Sequence, residues 1–204
     1  MIPSGVILAG GQSTRMGTNK SLLMLNGRPI IQHIADEMQS VCDEMMIVTN
    51  DKSLYEFLDI PMLEDNYPGM GPLAGLQSAL ASTNKDRVCL IACDTPFISK
   101  ELYAYLDDSL KESYQGVVPV YQNKTHPLSG IYQKDTLPII ENCLNENQLR
   151  FTDYLNNIPV NYVETFHDVS NEEVSKHFFN MNTPDDFEVA KTFFKEKDNE
   201  GKTC

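Results

Sequence analysis

"GVILAGGQSTRMGTNK", residues 5–20, joins a compact apolar run to a glycine-rich stretch that holds no carboxylate. Gly5–Gly10 reads as a buried β-strand, with Gly10, Gly11 and Gly17 at its end and beyond it. Glycine reaches backbone angles closed to other residues and lets main-chain N–H groups approach an anion with no Cβ in the way. Arg15 and Lys20 add positive charge to the same stretch, which completes a recipe for a polyphosphate cradle. Two better-known phosphate motifs do not fit. GxxxxGK[ST] fails because Thr18 and Asn19 separate Gly17 from Lys20, and GxGxxG fails because Gly10 and Gly11 are adjacent.

The chain around this stretch has the opposite sign. In 204 residues, 29 Asp and Glu face 16 Lys and Arg, a formal net charge of −13. From Met1 to Ala35, Arg15, Lys20 and Arg28 occur without one acidic residue. So acidic a chain is unsuited to nucleic acid or an anionic membrane as its main partner, whereas a small anion needs only local positive charge. A hydrophobic fraction of 41% is ordinary for a globular protein. The length suits one sizeable core, so a single domain is expected over residues 1–195, followed by a polar, flexible tail over 196–204. No stretch approaches the roughly 18 consecutive apolar residues of a membrane helix. The N-terminus lacks the basic n-region of a signal peptide. The cysteines at 42, 89, 93, 143 and 204 are odd in number and none are spaced CxxC. Cys89 and Cys93 flank an apolar run and read as buried thiols rather than metal ligands, and a reduced, cytoplasmic protein is expected.

Along the chain, short apolar runs alternate with amphipathic stretches. Strands are predicted at Gly5–Gly10, Met45–Thr49, Pro61–Leu63, Val88–Cys93, Gly116–Tyr121, Gly130–Tyr132 and Val160–Glu164. Helices are predicted at Pro29–Val41, Ser53–Leu58, from the turn "EDNYPGMGPLAG" through about Ser82, and at Lys100–Ser113, Thr136–Asn145 and Pro184–Lys195. Thr183 is placed to cap the last helix, with Asp185 and Asp186 at its positive end. Apolar strands separated by helices imply an α/β fold: a Rossmann-like three-layer α/β/α arrangement around a mostly parallel central sheet. In such sheets ligands gather at the carboxyl ends of the strands.

Two acids fall at such ends. Asp94 closes the apolar run of "VCLIACDTPF" and suits either a turn or a Mg²⁺ site, since that ion takes one or two carboxylates and completes its octahedron with phosphate and water. Asp65 follows a short strand in "MLEDNYPGMGPLAG" and suits either turn initiation or hydrogen bonds from a ribose or base.

The string LAGG-x-S-x-R-M-G-x-x-K resembles the N-terminal signature of nucleotidyltransferases in the nucleotide-diphospho-sugar transferase superfamily. The resemblance implies that Leu8, Ala9, Gly10 and Gly11 hold a nucleoside triphosphate, that Arg15 and Lys20 meet its phosphates, and that Asp94 binds catalytic Mg²⁺. "YPGMGPLAG", "CDTPF", "HPLSGIY" and "NMNTPDDF" follow in order across almost the whole chain. Together these motifs resemble the MobA family of molybdenum cofactor guanylyltransferases. That family implies GTP and molybdopterin as substrates, Mg²⁺ as cofactor, and other molybdenum cofactor biosynthesis proteins as partners. His126 in "KTHPLSG" is either a surface or capping residue or, by the resemblance, an acceptor contact; Asn182 is either a turn residue or a ligand on that side. No Ser, Cys or His nucleophile is evident, and none is required if the acceptor phosphate itself attacks. The competing expectations are a cytidylyl or other nucleotidyl transfer on the same fold, and a nucleotide-binding sensor, which would have no use for Asp94 beside the cradle.

Overall fold

A computed structural model describes residues 2–10 and 19–200 of the chain, with side chains through residue 194. Arg15 and Gly11, with Gly17, lie outside the described residues. The chain runs through β1 (Ser4–Leu8), β2 (Met24–Leu25), β3 (Arg28–Pro29), α1 (Ile30–Met38), β4 (Glu44–Val48), β5 (Met62–Leu63) and α2 (Pro72–Ser82). It continues through β6 (Arg87–Ala92), α3 (Lys100–Ser109), β7 (Gly116–Tyr121), β8 (Lys124–Thr125), β9 (Ile131–Gln133), α4 (Leu137–Asn145) and α5 (Phe151–Leu155). β10 (Val160–Val163), α6 (Asn171–His177) and α7 (Pro184–Glu200) close the order.

The main sheet has the order β10-β7-β9-β6-β1-β4-β5, with β8 paired to β7. β6, β1, β4 and β5 form a parallel block, in which Leu8 lies opposite Ala92 on one side and Val48 on the other. β9 runs antiparallel between β6 and β7. Alternation along the central strands divides the core between two faces. Ile7, Ile47, Cys89 and Ile91 pack with α1 and α3, whereas Val6, Leu8, Met46, Val48 and Leu90 pack with α2 and α4. The expected Rossmann-like three-layer α/β/α arrangement is therefore present. Period-two exposure of apolar side chains on both faces is what a strand covered on both sides requires.

The differences are local. The strands are shifted by a residue or so; the first ends at Leu8, where Gly10 had been expected. The helix expected at Ser53–Leu58 is two 3-10 turns, Lys52–Leu54 and Glu56–Leu58. α7 continues five residues past Lys195, through half of the segment assigned to the tail. The hairpin β2–β3 was not foreseen, although its turn, Asn26-Gly27, has both φ angles positive (46° and 76°), the pattern an Asn-Gly hairpin turn favours. Thr183 does cap α7: its Oγ1 accepts the Asp186 N–H at 3.2 Å, while Asp186 Oδ2 accepts the N–H groups of Asn182 and Thr183 at 2.8 and 2.7 Å.

Candidate functional site

Because β1, β4, β5 and β6 are parallel, their carboxyl ends open on one edge of the sheet. Ala9 and Gly10 follow β1, Thr49 and Asn50 follow β4, Asp65 follows β5, and Cys93 and Asp94 follow β6. Leu8 and Ala9 are buried, with the Ala9 N–H donating to the Val48 carbonyl at 3.0 Å, so the backbone at this point is fixed to the sheet. Gly10 has no left-handed φ, and a Cβ built on it would meet no atom of the described residues within 4 Å. Of the two properties that glycine offers there, Gly10 does not use the unusual backbone angle. Among the described residues the glycine leaves open space above the strand end, which a side chain would fill.

Lys20 begins a 3-10 turn that Asn19 caps, its side chain accepting the Ser21 N–H. The ammonium of Lys20 reaches Asn182 Oδ1 at 2.8 Å, 162 residues away in sequence. One residue earlier, the Met181 N–H donates to the Asp94 carbonyl at 2.9 Å, which pins the segment before α7 along the end of β6. Lys20, Asp94 and Asn182 thus meet at one place. Burial raises the Asp94 carboxyl above its usual range, opposed by the charge of Lys20. The neighbouring Cys93 thiol is pushed up to about 12 by its own burial and by Asp94, which leaves it inert at neutral pH. Among the described residues no group of three or more His, Cys, Asp or Glu side chains gathers in a metal-binding cluster. A single carboxylate facing an open strand end suits Mg²⁺, which draws its remaining ligands from phosphate and water, and does not suit a structural zinc site.

The other residues expected at the site are less closely joined to it. Asp65 Oδ1 accepts the Tyr67 N–H at 3.2 Å, the contact of a residue that initiates a turn, and burial raises its carboxyl against that hydrogen bond and one from Ser78. The turn after it needs glycine at Gly69 and Gly71 (φ 80° and 78°). Leu73, Ala74 and Gly75, in the first turn of α2, are all buried. A Cβ on Gly75 would stand 2.8 Å from Leu8 Cδ2, so the glycine seats α2 against the end of β1. His126 follows the β7–β8 hairpin and packs on Phe178, ring centroids 4.4 Å apart. Burial lowers its pKa, and its Nε2 is buried without a hydrogen-bond partner. Arg28 is tied to Asp36 on the exposed side of α1 and contributes no charge to the edge.

Sequence reasoning missed two residues here. Asn50 stands exposed just past β4, and its Oδ1 accepts the Asp65 N–H at 3.4 Å. Its signal was its place at the carboxyl end of a parallel strand. His177 has no exposure and accepts the Ser99 N–H on Nδ1 at 3.0 Å, with its ring 4.7 Å from Phe178. Its pKa is lowered to about 3, chiefly by burial. No local pattern marks it.

The opposite, amino edge carries a cavity of about 440 Å³ lined by Ile2, Cys42, Cys89, Tyr103 and the Arg87–Asp107 ion pair. It lies away from the glycine, the lysine and the acid, and Arg87 and Asp107 satisfy each other there.

Comparison with known proteins adds the family. The family model described as a MobA-like NTP transferase domain matches residues 5–156. A protein of Carboxydothermus hydrogenoformans named "probable molybdenum cofactor guanylyltransferase" is 34% identical over 192 residues, 94% of this chain and 96% of its own. In structure, the molybdopterin-guanine dinucleotide biosynthesis protein A of Archaeoglobus fulgidus superposes with a TM-score of 0.81 at 23% identity, covering 95% of this chain and 99% of that one. The 2-C-methyl-D-erythritol 4-phosphate cytidylyltransferase of Thermus thermophilus superposes at 0.68 with 16% identity, covering 96% and 100%. These two likenesses concern the fold alone, and the fold serves more than one base.

Proposed function

The chain belongs to the MobA-like NTP transferase family of nucleotidyltransferases, and from that premise we propose that it transfers GMP from GTP to the terminal phosphate of molybdopterin. The observation that carries this reading is the meeting of Lys20, Asp94 and Asn182 beside the open space at Gly10. A phosphate oxygen of the acceptor attacks the α-phosphorus of GTP; a new P–O bond forms, the bond to the β-phosphate bridge breaks, and pyrophosphate leaves. The nucleophile comes with the substrate, so the protein's task is to position and to neutralise charge.

The backbone of Leu8, Ala9 and Gly10 holds the nucleotide, and Lys20 moves from Asn182 to the phosphates as they arrive. Asp94 would hold Mg²⁺, which when bound withdraws charge from the phosphoryl oxygens. Its raised pKa reflects a carboxylate short of compensating positive charge, and the metal would supply that charge. In this reading Asn182 and His126 would contact the acceptor, and Asp65 and Asn50 the ribose and base. Among the described residues no helix is long and apolar enough to cross a membrane.

Pyrophosphate release with GTP and Mg²⁺, measured with and without molybdopterin, tests the proposal. Release that needs the pterin and prefers GTP over CTP supports it. CTP preference moves the assignment to cytidylyl transfer, and binding without release moves it to a sensor.

A further inference from the structure

We propose that Tyr55 is a positioning residue for nucleotide binding, its buried hydroxyl fixing the segment that carries Lys20 against the end of β1. The inference rests on the reading of Lys20 as a phosphate ligand. Tyr55 is 1% exposed and lies between the two 3-10 turns that follow β4. Groups from two separate stretches converge on its hydroxyl oxygen. Asn19 Nδ2 donates to it at 2.8 Å, Ser21 Oγ lies 3.0 Å away, and the hydroxyl reaches the Ala9 carbonyl at 3.3 Å.

Each of these partners is itself held. Ala9 is bonded to β4 through Val48. Asn19 Oδ1 accepts both the N–H and the hydroxyl of Ser21, at 3.2 and 2.7 Å, so Asn19, Lys20 and Ser21 form one hydrogen-bonded turn. With the Asn19 amide donating to it and the Ser21 hydroxyl proton given to Asn19 Oδ1, the single phenolic proton goes to the Ala9 carbonyl or to Ser21 Oγ. Lys20 sits between two residues tied to this oxygen, and its distance from Gly10 is set there. A phenylalanine would fill the same volume and leave the Asn19 amide and the Ala9 carbonyl without that partner.

A second tyrosine supplies the comparison. Tyr103 is equally buried, and its hydroxyl donates to the Leu90 carbonyl at 2.7 Å, midway along β6 and away from the strand ends. Its loss should affect stability alone.

The test measures GTP binding in Mg²⁺ by calorimetry, together with thermal melting, for the full chain and for Tyr55→Phe, Tyr103→Phe and Asn19→Ala. Both tyrosine variants should melt earlier. Only Tyr55→Phe and Asn19→Ala should weaken GTP binding, by about three- to tenfold, the factor of one ordinary net hydrogen bond. In the Lys20→Ala background Tyr55→Phe should add little, because the hydroxyl acts through the lysine. Asn19→Ala keeps the test open if Tyr55→Phe does not fold. Wild-type GTP affinity in Tyr55→Phe or Asn19→Ala, or a full additional loss on top of Lys20→Ala, overturns the role of Tyr55 alone. A wild-type chain that binds no GTP overturns the nucleotide reading and this inference with it.

Discussion

The two edges of the sheet treat polar groups in opposite ways. At the amino edge they satisfy one another: Ser4 donates to Glu44 at 2.6 Å, Thr83 donates to the same carboxylate at 3.0 Å, and Arg87 forks onto Asp107. At the carboxyl edge, among the described residues, charge is less fully matched. The Asp94 carboxyl is shifted upward by burial, with Lys20 as its opposing charge, and the Lys20 ammonium rests on an uncharged amide at Asn182. Paired charges hold a fold together and have little left to offer a ligand, whereas an unbalanced acid and base beside open space retain their capacity to bind. The difference teaches which edge to assign, although the cavity of about 440 Å³ is at the other one.

The greatest effect should come from removing the acid. Asp94→Asn preserves shape and deletes the charge that attracts a hard cation, so pyrophosphate release should fall about a thousandfold, the several kcal/mol a metal contributes. Melting should be unchanged, and nucleotide binding without metal should survive. A variant that stays active with normal magnesium dependence, or that unfolds, would return Asp94 to the structural edge of the comparison. Lys20→Ala comes next. One charge-assisted phosphate contact is worth roughly 1.5–3 kcal/mol, about ten- to a hundredfold in GTP turnover. Wild-type kinetics in the folded variant would remove Lys20 from the site.

The amino edge should respond in the other currency. Asp107→Asn breaks a half-buried forked ion pair and should cost about 2 kcal/mol of stability, read as an earlier denaturant midpoint, with kcat/KM intact. A loss of activity without loss of stability would dissolve the distinction between the edges. The smallest effect concerns pH. His177 is held neutral in the fold with a pKa of about 3, against about 6.5 when unfolded. The unfolded chain therefore binds the extra proton, and this contribution to stability is present above pH 6.5 and is lost progressively down to about pH 3. At pH 5.5 the loss should be about 1 kcal/mol relative to pH 8, and a His177→Gln chain should lack that share of the slope.

Some of this was legible in residue order and some was not. Gly10, Lys20 and Asp94 could be singled out because each sits beside an apolar run, so strand, strand end and polar group are read from one short window. His177 was invisible for the opposite reason. Its neutrality comes from Ser99, Tyr103 and Phe178 packed around it, and two of these lie on α3 and the turn before it. Tyr55 likewise acts across 46 residues on Ala9 and 36 on Asn19. β9 was recognised as a strand, but nothing in Gly130–Tyr132 said that it would run antiparallel between β6 and β7.

By itself, then, the sequence determined the layered α/β class, the glycine-rich end of the first strand and the two groups of opposite charge near it, because periodicity and strand-end chemistry are local properties. Only the tertiary structure decided that Lys20 meets Asn182, that Arg28 is occupied by Asp36, that Gly10 provides space rather than an unusual angle, and that the polar groups of the amino edge are already paired. The physical reason is that pairing and burial depend on which distant segments the sheet order brings together, and a side chain's charge is available to a ligand only when no such neighbour has already neutralised it.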